Sequence, residues 1–311
     1  MEEALYTIYI LLLIIISTLL NLIICYVIIY KIKTFETTHL FILSISILDM
    51  VHAVIGLVSE IYILQNLTVF DKNYICFEAS FLTYSISVSN IVYTVIISVI
   101  RLIALKWPIY YFNNCKKLRY KMDSLFFCYF YGLLWTLFSL LGWSKYEKDL
   151  DGMRCSLDWN LTKYNSFTYL MSTFIFCYIL PAIFLFWSLK VVHQTVDYHS
   201  SFRENCPNQL IEILEKSYLN VLICSAVAYF FVWTPYSVVS LLSIFQIKFP
   251  SFVITFCALF AKLTTVLNAL VNCYFNKSFQ VHLYKLKIFE YFLKGNKIAH
   301  NQNSITGETH A

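Results

Sequence analysis

Lys262 is the only charged residue in an otherwise almost wholly apolar run, residues 250–275. A charged lysine at the centre of a bilayer costs about 2.5–3.5 kcal/mol on insertion scales, so its presence asks for a function. An amine removed from water favours its neutral form. The neutral amine is the nucleophile that condenses with an aldehyde to give a Schiff base. The alternative is a lysine facing a watery cavity and paired with an acid, as in a transporter. No metal-ligand cluster, phosphate loop or hydrolase constellation is seen elsewhere, and histidines such as His52 read as loop or core residues.

The elements that must position Lys262 are membrane spans. Of 311 residues 59% are hydrophobic and only 13% charged, against about 25% charged in soluble domains. Mean hydropathy is +0.66. Seven apolar runs are long enough to cross a bilayer, at roughly 5–30, 39–64, 76–105, 123–143, 166–191, 215–244 and 250–275. Residues 1–293 read as one membrane domain and 294–311 as a polar tail. Six glycines and five prolines leave little room for linkers.

Sixteen Lys and Arg fall on one side of this arrangement and six on the other, with Lys262 in the middle of a span. The rich side is expected to be cytoplasmic, placing the N-terminus outside at a plasma membrane. The first span is expected to serve as signal and anchor. The inside bias accounts for the +5 net charge, with no need of a nucleic-acid partner. Sequons at Asn66 and Asn160 fall in outside loops, as glycosylation requires, and one at Asn276 falls inside. Cys76 and Cys155 also fall on the oxidising side, where a bridge would tie the long loop 142–163 over the mouth of the bundle.

Seven spans, an outside N-terminus and this cysteine pair resemble a rhodopsin-class G-protein-coupled receptor. Asn21 and Asp49 match the polar marks of its first two helices, Trp135 that of the fourth, and Pro181 and Pro235 the prolines of helices five and six. "FVWTPY" at 231–236 looks like the helix-six element, and "NKSF" at 276–279 like the start of a short amphipathic eighth helix. The fold implied is an all-α seven-transmembrane helix bundle with that eighth helix. Within the class the chain resembles opsins, most of all invertebrate and cnidarian ones. Lys262 lies six residues before Asn268, as the retinal-binding lysine does. "GWSKY" at 142–146 and "CSLDW" at 155–159 resemble the opsin lid loop, and the Glu215-Lys216 pair twenty residues before Pro235 fits the same pattern.

The resemblance implies retinal as chromophore, held by a Schiff base to Lys262, with Trp233, Tyr236 and Tyr229 around it. It implies an anion to balance the protonated nitrogen. Ala79 occupies the position of the vertebrate glutamate, and Glu78 beside it points elsewhere. Two candidates remain. Glu60 lies eleven residues, about three turns, after Asp49 and should share its inward face; some cnidarian opsins are similar in using a glutamate there. In the lid, spacing from the loop cysteine selects Asp149 and alignment on Gly152-Met153 selects Asp151; the disulfide favours Asp149.

At the cytoplasmic end the chain departs from the family pattern. Arg101, twenty-five residues after Cys76, keeps its place, but its neighbours are Ile100 and Leu102. Glu215 matches its helix-six partner. The helix-seven element reads Asn268-Ala269-Leu270-Val271-Asn272, without the usual proline and tyrosine. The implied partners are a heterotrimeric G protein, of the Gs class by the cnidarian likeness, arrestin and membrane lipid. The departures keep two alternatives open: a retinal photoisomerase or retinal-binding opsin with weak or no coupling, and a receptor for a diffusible ligand.

Overall fold

The structure is a computed structural model and describes residues 2–32, 37–65, 72–151, 153–203 and 209–284. Seven helices in it are long and apolar enough to cross a membrane: α1 (Glu3–Ile32), α2 (Thr37–Leu64), α3 (Tyr74–Lys106), α4 (Leu118–Leu140), α5 (Ser166–Tyr198), α6 (Leu219–Ile244) and α7 (Ser251–Phe275). Large apolar side chains such as Leu12, Ile16, Phe126, Phe130, Phe184 and Trp187 point outward. In water such a surface would be untenable, whereas lipid covers it. The chain is a multi-pass membrane protein.

The helix ends differ from the hydropathy reading where polar residues continue a helix past the apolar run. α4 begins at Leu118 rather than near 123, because Lys121 and Asp123 remain helical. It ends at Leu140 rather than 143, where Gly142 takes φ +96°. The fifth helix runs on to Arg203, and the sixth begins at Gln209. α8 (Lys277–Tyr284) follows a break at Asn276. It buries Phe279 and Leu283 against Ile24, Val27 and Ile28 of α1, so its amphipathic pattern is satisfied inside the bundle.

Between α4 and α5 lies a feature the all-α reading did not include, a hairpin of β1 (Tyr146–Lys148) and β2 (Cys155–Leu157). The strands are antiparallel, with Tyr146 opposite Leu157 and Lys148 opposite Cys155. The Cys76–Cys155 disulfide, Cα–Cα 5.2 Å, ties β2 to the start of α3 and makes the hairpin a lid.

Two local irregularities aim the polar residues of the bundle. In α2, residues His52–Gly56 form a π turn between Asp49 and Glu60. Such a turn holds more residues than an α turn, so it resets which way the following residues face. In α7, the helix tightens after Lys262: Leu263 N–H bonds Phe260 O (3.1 Å) and Val266 N–H bonds Leu263 O (3.0 Å). The sequence Thr264-Thr265 supports the break. Thr264 Oγ1 donates to Ala261 O (2.7 Å) and Thr265 Oγ1 to Lys262 O (3.1 Å). Threonines that capture carbonyls in this way bend helices. Where the family pattern has a proline further along α7, this chain has an interruption bracketed by threonines next to the lysine.

Candidate functional site

α7 presents Lys262 at that interruption into the bundle, and α2 presents Glu60 after its π turn. The two meet with Lys262 Nζ 2.5 Å from Glu60 Oε1. Both are nearly enclosed, at 6% and 2% exposure, so this is an ion pair withdrawn from water. In that setting the pairing of each charge decides whether the site is tolerable at all. Glu60 Oε2 in turn accepts a hydrogen bond from Tyr6 of α1 at 3.1 Å.

Lys262 and Glu60 share the wall of a cavity with residues of α3, α5, α6, α7 and the lid. Its other walls are largely apolar or aromatic, among them Val88, Leu170, Phe174, Tyr178, Trp233, Ile244 and Ala258. Trp233, Tyr236 and Tyr229, the aromatics expected around the ligand, all line it. Tyr229 stacks on Trp233 with ring centroids 6.1 Å apart, and its hydroxyl donates to Ser87 O at 3.4 Å. His52, also on the wall, meets Thr83 Oγ1 at 3.2 Å through Nε2. An amine facing aromatic walls with a carboxylate beside it suits a long apolar aldehyde.

The second candidate acid lies elsewhere. Asp149 Oδ2 is 2.8 Å from Arg154 Nε and accepts the Tyr236 hydroxyl at 3.0 Å. Asp151 Oδ2 is 2.7 Å from Arg154 Nη1 and accepts Thr255 Oγ1 of α7 at 2.7 Å. Burial works against the charged guanidinium, but Asp149 and Asp151 outweigh it and hold Arg154 well above its usual value. Asp149 thus sits on Arg154, while Lys262 sits on Glu60. Arg154 and Tyr6 were missed by sequence reasoning. Arg154 looked like one more loop charge, and its only signal was having Asp149 and Asp151 within five residues.

Near the middle of α2, on the side away from the lid, Asp49 accepts Asn90 Nδ2 (2.9 Å) and Asn268 Nδ2 (3.0 Å). Asn21 Nδ2 donates to Thr265 O at 3.1 Å. These polar marks join α1, α2, α3 and α7.

The comparisons with known proteins agree with this arrangement. The family pattern described as 7 transmembrane receptor (rhodopsin family) matches residues 20–275. The chain belongs to that family.

Its curated relatives include opsins. The human visual pigment-like receptor peropsin is 27% identical over 158 residues, covering 48% of this chain and 45% of that protein. Pinopsin of Columba livia is 23% identical over 170 residues, 54% and 48% of the two chains. The G0-coupled rhodopsin of Mizuhopecten yessoensis is 24% identical over 275 residues, 86% and 68% of the two. The chain thus spans about half the length of the first two relatives. The crystal structure of squid rhodopsin superposes with a TM-score of 0.82 at 17% identity, covering 99% of this chain and 93% of that one. That likeness establishes the fold. Within that family, then, the chain is similar to opsins.

In this receptor Arg101 of α3 donates through Nη2 to Thr38 Oγ1 of α2 at 2.5 Å. Glu215, its expected partner, lies in the helical run Gln209–Ile244, with its side chain outside the described residues. Asn272, in the place of the family tyrosine, donates back to Asn268 O at 2.8 Å within its own helix. Asn160 is exposed in the lid loop; Asn66 and the tail 294–311 lie outside the described residues.

Proposed function

We propose that this receptor senses light, with retinal bound through a Schiff base to Lys262 and Glu60 as its counterion. The observation that carries the reading is the 2.5 Å pairing of Lys262 with Glu60 on the wall of an aromatic cavity. Retinal would supply a light-driven change of shape, which no side chain offers. The chain's own residues do the rest. Lys262 fixes one end of the ligand. Glu60 holds a negative charge against the nitrogen, so that a proton can stay there in a site without water. Trp233, Tyr229 and Tyr236 orient the apolar remainder, and the disulfide-tied lid shuts out solvent. Trp233 lies two residues before Pro235 on α6, so altered packing in the cavity reaches the helix that must move to admit a G protein beside Arg101. Asp149 and Asp151, engaged by Arg154, act in the lid rather than on the ligand.

The membrane is the plasma membrane, with the N-terminus and a glycan at Asn160 outside. The partner is a heterotrimeric G protein, for which a relative named G0-coupled and the cnidarian likeness to the Gs class give two different expectations; arrestin is a further partner.

A second reading keeps the pigment and removes the coupling. It is favoured by Asn272, which bonds within α7 where the family has a tyrosine that moves on activation. The receptor would then serve as a retinal photoisomerase or carrier.

The test is to express the receptor, add a cis isomer of retinal and record the absorption spectrum beside Lys262→Ala and Glu60→Gln. A visible band, lost in Lys262→Ala and moved to the ultraviolet in Glu60→Gln, is expected. A folded receptor with no band refutes the retinal reading and leaves a diffusible ligand. Light-dependent nucleotide exchange on purified G proteins then separates the signalling pigment from the isomerase.

A further inference from the structure

Glu60 uses both of its oxygens. Oε1 meets Lys262, and Oε2 accepts the Tyr6 hydroxyl at 3.1 Å. Tyr6 is 3% exposed and belongs to a packed cluster that Met153 of the lid, next to Arg154, joins. Arg154 is clamped between Asp149 and Asp151, which reach Tyr236 on α6 and Thr255 on α7. Buried polar groups therefore run from the lysine to a tyrosine on α1, which packs beside the lid and its own ion cluster.

The formal charges along this line do not cancel. Lys262 and Arg154 are two cations; Glu60, Asp149 and Asp151 are three anions. A surplus negative charge withdrawn from water must be solvated by donors within the protein. The hydroxyls of Tyr6, Tyr236 and Thr255 are such donors, one for each carboxylate. Tyr6 is the one bonded to the acid beside the lysine, and it packs next to the lid.

We propose that Tyr6 is a positioning residue. It holds the Glu60 carboxylate on Lys262 and ties its charge to the Arg154 cluster, so that the lid and the ligand-bearing lysine form one electrostatic unit. The inference rests on the reading of Lys262 and Glu60 given above. A hydrogen bond to the far oxygen draws negative charge away from the oxygen at the nitrogen. The phenol therefore sets how strongly Glu60 binds the nitrogen's proton, and with it the colour of a pigment.

Tyr6→Phe keeps the ring and removes only the donor. The first measurement uses receptor without retinal. The infrared carboxylate band of Glu60 is identified by its absence in Glu60→Gln and then followed in Tyr6→Phe. The band is expected to move, and to stop responding to Arg154→Lys once Tyr6 is Phe. The second measurement uses receptor with cis-retinal, where the visible maximum of Tyr6→Phe is expected at shorter wavelength. A ring that merely packs would move neither. An unmoved Glu60 band in folded Tyr6→Phe overturns the proposal, as does a pigment whose maximum is unchanged. If the parent forms no pigment but the Glu60 band moves in Tyr6→Phe, the retinal reading fails and the tie between Tyr6 and Glu60 stands.

Discussion

The Lys262–Glu60 pair makes a quantitative demand on the receptor even before any ligand is added. Both partners are almost wholly enclosed and lie 2.5 Å apart. Removing one partner of such a pair costs about 3–5 kcal/mol, because the other is left charged without compensation. Glu60→Gln is expected near the lower end, since the amide oxygen can still accept a hydrogen bond from the lysine. Lys262→Met is expected there too, because Tyr6 still donates to the carboxylate. Replacing both partners by uncharged groups of similar size is often neutral. The double variant Glu60→Gln/Lys262→Met should therefore lose about 1 kcal/mol or less, where independent sites would lose about 6. At about 2–4 °C per kcal/mol, each single variant should melt roughly 6–12 °C below the parent and the double within about 4 °C of it. The assay is thermal unfolding of retinal-free receptor in detergent, at one fixed scan rate because unfolding of such proteins is seldom reversible. A double variant that melts at the sum of the two single losses would show that the pair is not coupled, and would refute the reasoning from burial.

Arg154→Met leaves Asp149 and Asp151 buried without their cation; a loss of about 3–5 kcal/mol is expected, read as a collapse of folded receptor at the cell surface that Asp149→Asn with Asp151→Asn partly restores. Burial alone would raise Asp158 in the lid loop. Hydrogen bonds from Ser166 and from the amides of Thr162 and Lys163 override this and hold it at about 2. Its folded value lies below the unfolded value of about 3.9, so its contribution of about 2 kcal/mol is full above that pH and is lost as pH falls through about 2. Asp158→Asn should flatten the acid limb of a stability-against-pH curve. A Cβ on Gly132 of α4 would stand 2.5 Å from Ser85 O of α3 and closer still to Ser89 Oγ. Gly132→Ala should push the two helices apart at a cost of about 1–3 kcal/mol, measured as a lowered melting point.

The spans and the lysine were legible in the sequence for one physical reason: a charge in an apolar run stands out. Lys262 and Glu60 are both of that kind, and the structure brings them together. The lid's place was legible from Cys76, Cys155 and the 142–159 stretch, and the disulfide is there; its internal pairing was not legible. Whether Asp149, Asp151 and Arg154 face each other or water depends on the hairpin pairing Tyr146 with Leu157 and on the disulfide holding it down, and no periodicity in a loop encodes that. Tyr6 could not be singled out because the chain has 24 tyrosines, and most suit a bundle wall. Helix ends were misjudged by several residues where Arg119, Lys121 and Asp123 are helical but not apolar. An unbroken α-helix would put Asp49 and Glu60, eleven residues apart, on one inward face, and both do turn inward toward α7. The π turn at His52–Gly56 intervenes, and Asp49 faces Asn90 and Asn268 while Glu60 faces Tyr6 and Lys262.

That π turn makes α2 a rod indexed in two halves. One residue advances a helix by about 100°. Deleting a single residue between Asp49 and Glu60 would swing the upper half by that angle and carry Glu60 away from Lys262, leaving Asp49 on its two asparagines. A one-codon insertion or deletion here is thus a rotary adjustment that moves the ligand-side acid without disturbing the other end. Such a step offers a lineage a way to move its ligand-side acid to a new neighbour while the polar joint at the far end stays as it was.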